Sequence, residues 1–210
     1  MKVKLLNLLS LLFLLAIPPA QSLLMNTEKT LTIVRHGQTE ANEYLSTVCR
    51  WGSSNFRDTA DLRDSKLNSV GIEQASVSLR ERMNSLKLPS GVAEDDMLML
   101  VSPLSRTLET MRLGCGYASK SENSEAVDST GQRVPPPLFQ RVRKIALPLL
   151  AERMFMISDV GTPTPQLREN YGHIVDFDSF MGDDDEWWFK HLPAIHGTYK
   201  EWRPNGANQK

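Results

Sequence analysis

Only two cysteines, Cys49 and Cys115, occur in the chain, and neither belongs to a CxxC pair. At most one disulfide is therefore open to it, and two small buried thiols fit the pair equally well. With just four scattered histidines, the spacing expected of zinc ligands is missing too, so no metal site is expected. Charge of one sign is also lacking: 24 Lys and Arg stand against 25 Asp and Glu, a formal net charge of −1. The balance leaves no basic field to attract nucleic acid and no acidic excess to imply disorder. Any anion site must be local. No Asn-x-Ser/Thr sequon and no internal repeat is present. What is present, 40% hydrophobic and 23% charged residues, suits one globular domain with an ordinary core.

No apolar run is long enough to cross a bilayer. The longest, residues 5–17, covers 13 positions, against roughly 20 for a spanning helix. Lys2 and Lys4 precede it, and Pro18, Pro19, Ala20 and Ser22 follow, so residues 1–22 read as a secretory signal peptide. This predicts the secretory pathway or the extracellular space, with no stable membrane association after cleavage. An uncleaved anchor, or a cytoplasmic form starting at Met25, is the alternative. No arginine precedes Arg35, which speaks against a mitochondrial presequence.

Beyond the leader, residues 28–210 form the expected domain, in which strand-like and helix-like patterns alternate, the mark of an α/β architecture. Thr30 to Val34 predicts a strand. From Ser69 to Leu86 the spacing of Ile72, Ala75, Leu79, Met83 and Leu86 predicts an amphipathic helix. "MLMLV", residues 97–101, predicts a parallel strand buried on both faces. Residues 104–113 read as a helix stopped by Gly114 and Gly116. Residues 119–137 are polar and end in three prolines, as an exposed insertion loop does. "KIALPLLAE" gives a third strand, held to an edge or made irregular by Pro148.

The chemistry sits at the strand ends. "TLTIVRHGQTEAN" closes a strand with Arg35, His36 and Gly37, placing an imidazole at a carboxyl edge of the sheet, where α/β proteins bind ligands. Gly37 lets the backbone turn closely. "VSPLSRTLET" repeats the geometry: Ser102 and Pro103 end a strand and open a helix whose first turn carries Arg106. Two guanidiniums match phosphate oxygens in charge and shape, and the helix start adds N–H groups and dipole. A dianionic phosphate ester is the expected ligand.

Four segments, "RHGQTEAN" (35–42), "DSKLNSVGIEQA" (64–75), "SPLSRTLET" (102–110) and "LLAER" (149–153), together resemble the histidine phosphatase superfamily in its phosphoglycerate-mutase-like branch. The resemblance implies a three-layer α/β/α fold around a mostly parallel sheet. It also implies a phosphohistidine mechanism needing no cofactor: His36 as nucleophile, Arg35, Gly37, Asn42 and Arg106 binding the phosphate, and Glu152 as acid, with Asp159 its rival. The acid-phosphatase branch fits less well, because Gln38, Thr39 and Glu40 follow the glycine. A second histidine, on a late hydrophobic strand ending in a His-Gly-like turn, belongs to the family pattern. Only His173, His191 and His196 follow Glu152, and none ends such a run; the chain is expected to stop before that strand, and His196 is the weaker substitute. The partner expected is a small phosphorylated molecule. Hydrolysis, a mutase reaction, and a catalytically silent phosphate-binding role are the three functions this leaves open, with the oligomeric state and the substrate's identity undecided. Residues 161–188, following the acid, are expected over the pocket, with the tryptophans packed against the core rather than lining a substrate cleft.

Overall fold

The computed structural model describes residues 2–9, 12–16, 29–47, 57–88, 90–117, 136–152 and 154–188. The protein is mixed α/β. Five strands, β1 (Lys2–Leu9), β2 (Leu12–Ala16), β3 (Thr30–Arg35), β4 (Met97–Val101) and β5 (Arg143–Ala146), form one sheet in the order β1-β3-β2-β4-β5. β1 runs parallel to β3 and β4 parallel to β5, whereas β2 lies antiparallel between β3 and β4. Four strands thus share one direction and β2 opposes them. The segment whose composition reads as a leader contributes two of the five strands, and they are the two neighbours of β3. Among the described residues no helix is long and apolar enough to cross a membrane.

β4 alternates along its length: Met97, Met99 and Val101 are buried, while Leu98 and Leu100 are half-buried. One face is therefore better covered than the other, a correction to the expectation of burial on both. β5 ends where Pro148 opens a tight turn, Pro148–Leu150, and it lies at the sheet edge, where a missing N–H breaks no ladder. The core gathers Met99, Val101, Leu108, Met111, Leu79, Met83, Phe139 and Phe177. Trp187 and Trp188 join it edge to face, their rings 5.6 Å apart, and the Trp187 indole N–H donates to the Thr162 carbonyl at 2.8 Å. Cys115 is a free buried thiol, its pKa pushed up to about 12 by burial; Cys49 lies outside the described residues.

The helix α1 (Glu40–Thr47) follows β3, and α4 (Ser105–Gly114) follows β4. Short helices α5 (Leu138–Arg141) and α6 (Thr164–Tyr171) lie later in the chain. Residues 119–135 of the expected insertion loop, 119–137, lie outside the described residues.

The helix expected over 69–86 forms as α2 (Ser69–Glu73) and α3 (Arg80–Ser85), joined without a break by a π-helical segment, Gln74–Leu79. Its buried residues are Gly71, Ala75, Leu79 and Met83, every fourth position, and Ile72 is exposed rather than part of the stripe. In an α-helix a four-residue step overshoots a full turn by about 40°. The wider π turn winds back that drift and keeps the row facing inward.

Gly71 heads the row for a reason of space. A Cβ there would come within 2.0 Å of the Gln38 carbonyl oxygen, and one on Gly37 within 2.6 Å of the Gly71 carbonyl oxygen. Backbone meets backbone, so neither contact yields by a rotamer change. Asn68 fixes the same junction: its side chain accepts from the Gly71 N–H at 2.9 Å, and its own N–H donates to the Gln38 carbonyl. Gly71→Ala is expected to cost about 1–3 kcal/mol from overpacking, and to displace residues 36–38 along with it. Urea unfolding checks the first effect; the second shows as weakened phosphate binding in protein that remains folded.

Candidate active site

β3 delivers Arg35 at its last position and His36 and Gly37 just after it. The Gly37 N–H donates to Thr110 Oγ1 at 3.0 Å, and that hydroxyl donates to the Arg106 carbonyl at 2.7 Å, which ties the strand end to α4. The Gly37 carbonyl lies 2.7 Å from His36 Nδ1. Since a carbonyl only accepts, Nδ1 carries the proton and Nε2 keeps its lone pair. Burial, then the nearby Arg106 charge, hold the His36 pKa down at about 4, with Arg35 adding to the effect.

The neutral imidazole has a pH signature. Above about pH 6.5, the ordinary histidine value, it is uncharged in both the folded and the unfolded chain. Below that pH the unfolded chain takes up a proton the folded one resists, so stability falls as the pH drops toward 4 and is fully present above 6.5. Comparing wild type with His36→Gln by urea unfolding at pH 7 and pH 4.5 is expected to show about 2 kcal/mol of extra acid destabilisation in the wild type.

The opposite wall is built by α4. Asp64, at φ 41°, clamps its start: the carboxylate accepts from the Ser105 N–H at 2.9 Å, the Ser105 hydroxyl at 2.6 Å and the Thr162 hydroxyl at 2.6 Å. In the first turn, Arg106 is buried, and its fork is held by Ser158 and two carboxylates. Nη1 donates to the Ser158 carbonyl at 2.7 Å; Nη2 donates to Glu152 Oε2 at 3.0 Å and to Asp159 Oδ1 at 3.2 Å. The loop carrying Ser158 and Asp159 is itself strapped down. Asp58 accepts from the Ile157 N–H through both oxygens, and Arg63 donates to the Gly161 carbonyl at 3.3 Å.

Arg35, His36, Arg106 and Glu152 open on one cleft of about 240 Å³. Ser102 and Thr107 also face it, and Leu104, Leu150 and Ala151 supply an apolar wall. The two candidate acids are separated by their surroundings. Asp159 is only 4% exposed, and its second oxygen accepts from the Phe155 and Met156 N–H groups, both at 3.0 Å. Burial raises its pKa, with Arg106 and the two amides opposing. Glu152 is 63% exposed, touches Arg106 and lines the cleft. Only Glu152 has room to reach a ligand.

Two of the expected phosphate ligands stand outside the lining. Gly37 has both its backbone groups engaged, the N–H by Thr110 and the carbonyl by His36. The Asn42 side chain accepts from the Thr39 N–H at 3.2 Å, while the Asn42 N–H donates to Thr39 Oγ1 at 3.0 Å, a reciprocal cap on α1. His173 is exposed and does not line the cleft, nor does any of residues 161–188, which were expected over it; His191 and His196 lie outside the described residues. Sequence reasoning passed over Ser102 and Thr107 on the cleft, and Thr110 and Asp64 behind it. For Asp64 the signal was its place inside the quoted "DSKLN" segment; for the hydroxyls, their positions within four residues of Arg106 in "SPLSRTLET". Compared with known proteins, the chain matches no family model, no curated protein and no solved structure.

Proposed function

We propose that the protein is a phosphomonoesterase acting through a phosphohistidine on His36, with the three-layer, phosphoglycerate-mutase-like fold that its sequence segments imply. The observation that carries this reading is the convergence of two guanidiniums and one neutral imidazole on a single cleft. His36 Nε2 attacks phosphorus in line; the N–P bond forms as the ester P–O bond breaks, and Arg35 and Arg106 balance the charge on the phosphoryl oxygens. The departing alkoxide takes a proton from Glu152. In the second step Glu152 takes a proton from water, the water oxygen attacks phosphorus, and the N–P electron pair returns to Nε2.

A cleft of about 240 Å³ is smaller than the 300–1,000 Å³ of typical ligand pockets, which favours a small ester whose carbon part rests on Leu104, Leu150 and Ala151. The scheme requires no metal or cofactor.

The test is to incubate the protein with labelled aryl phosphate, quench in alkali and look for acid-labile protein-bound label. Label that turns over to inorganic phosphate supports hydrolysis, and label passed to a second hydroxyl supports a mutase. Folded protein that binds phosphate yet takes up no label is a phosphate-binding protein, and the enzymatic reading fails.

A further inference from the structure

Hydroxyls around α4 divide into two groups. Ser105 Oγ is committed to Asp64 at 2.6 Å, and Thr110 Oγ1 both donates to the Arg106 carbonyl and accepts from Gly37. Thr107 is only 4% exposed and lines the cleft, yet among the described residues its hydroxyl has no partner; its N–H alone is bonded, to the Leu104 carbonyl at 2.9 Å. Ser102 is 2% exposed and lines the same cleft, and its oxygen meets only the Leu104 N–H at 3.5 Å, which leaves its O–H proton undonated. Both hydroxyls open onto the cleft, where a ligand oxygen can take the proton. Each has a proton to give, and each stands on a cleft lined by the Arg35 and Arg106 guanidiniums as well as the Glu152 carboxylate. Position agrees with chemistry: Ser102 directly follows β4, and Thr107 lies in the first turn of α4, where helix N–H groups and dipole also favour an anion.

We infer that the Thr107 and Ser102 hydroxyls are two further phosphate ligands, donating to phosphoryl oxygens held between Arg35 and Arg106. The inference rests on the phosphomonoesterase reading and adds to it a neutral half of the anion cradle. Guanidiniums supply charge; the hydroxyls fix which way the oxygens point, and so the line along which His36 approaches phosphorus.

Calorimetric titration of the full chain with inorganic phosphate tests it. Thr107→Val keeps shape and deletes the hydroxyl, and is expected to weaken phosphate binding about 10- to 100-fold, the usual value of a hydrogen bond to a charged group. Thr107→Ser keeps the hydroxyl and is expected to bind within about threefold of wild type. Ser102→Ala gives an independent reading on smaller packing change, with a loss of about tenfold expected. A purely structural role would instead shift the melting temperature of the unliganded protein and leave affinity alone in the molecules that remain folded. Wild-type phosphate affinity in both Thr107→Val and Ser102→Ala overturns the inference while leaving the phosphomonoesterase reading intact. Failure of the wild-type protein itself to bind phosphate overturns both.

Discussion

His36→Ala is expected to abolish the acid-labile phosphoenzyme and to lower phosphate release about 10⁴- to 10⁶-fold, in protein that still folds. The size follows from the role: a nucleophile that forms the covalent bond has no substitute in the cleft, and removing such groups costs that much elsewhere. The fold is spared because among the described residues the imidazole makes one hydrogen bond, Nδ1–H to the Gly37 carbonyl at 2.7 Å, a contact its sequence neighbour supplies. Phosphate affinity is expected to change little, since Arg35 and Arg106 remain. Quench-flow labelling and phosphate titration read the two effects separately. Undiminished label in His36→Ala would move the nucleophile to another residue.

Arg106→Met is expected to do the reverse, damaging fold and binding together. The guanidinium is buried and joins the Ser158 carbonyl, Glu152 and Asp159. Glu152 loses little, being exposed. Asp159 is left a buried carboxylate without its cation, which costs about 3–5 kcal/mol, or roughly 6–20 °C in melting temperature for a chain of this size. The double variant Arg106→Met/Asp159→Asn removes both charges and is expected to recover most of that stability. Phosphate binding is expected to stay lost in both. A melt and a phosphate titration on the two variants separate the structural share of Arg106 from its anion-binding share; recovery of binding in the double variant would mean that Arg106 does not hold the phosphate.

What the sequence made legible follows from how locally each feature is determined. β4 was readable to the residue because "MLMLV" is a short apolar run bounded by polar neighbours, and α4 to within one residue, its end marked by Gly116 at positive φ while Gly114, expected to stop it, lies inside it. The exposure of Ile72 was not readable. It depends on the π segment at 74–79 and on Gly71 fitting under Gln38, a contact between residues 33 positions apart. At the site, Arg35, His36, Arg106 and Glu152 were identifiable because their chemistry is carried by side-chain type and by position at strand ends. Asn42 and Gly37 were placed on the ligand by resemblance, whereas their hydrogen bonds serve a helix cap and a strand-to-helix tie. The rivalry of Glu152 with Asp159 needed three dimensions: seven positions apart on the chain, they differ in exposure and in the amides facing them.

The exposed carboxylate on Arg106 makes the idle cleft its own counterion store. Two cations, Arg35 and Arg106, stand against Glu152 and Asp159, so the resting formal charge is nil while the imidazole is neutral. Of the two anions Asp159 is locked by backbone amides, but the Glu152 contact is worth no more than about 1 kcal/mol at that exposure. If the cleft takes the ester proposed for it, the newcomer displaces a lightly held tenant, and moderate salt is expected to loosen that tenant while it screens the newcomer.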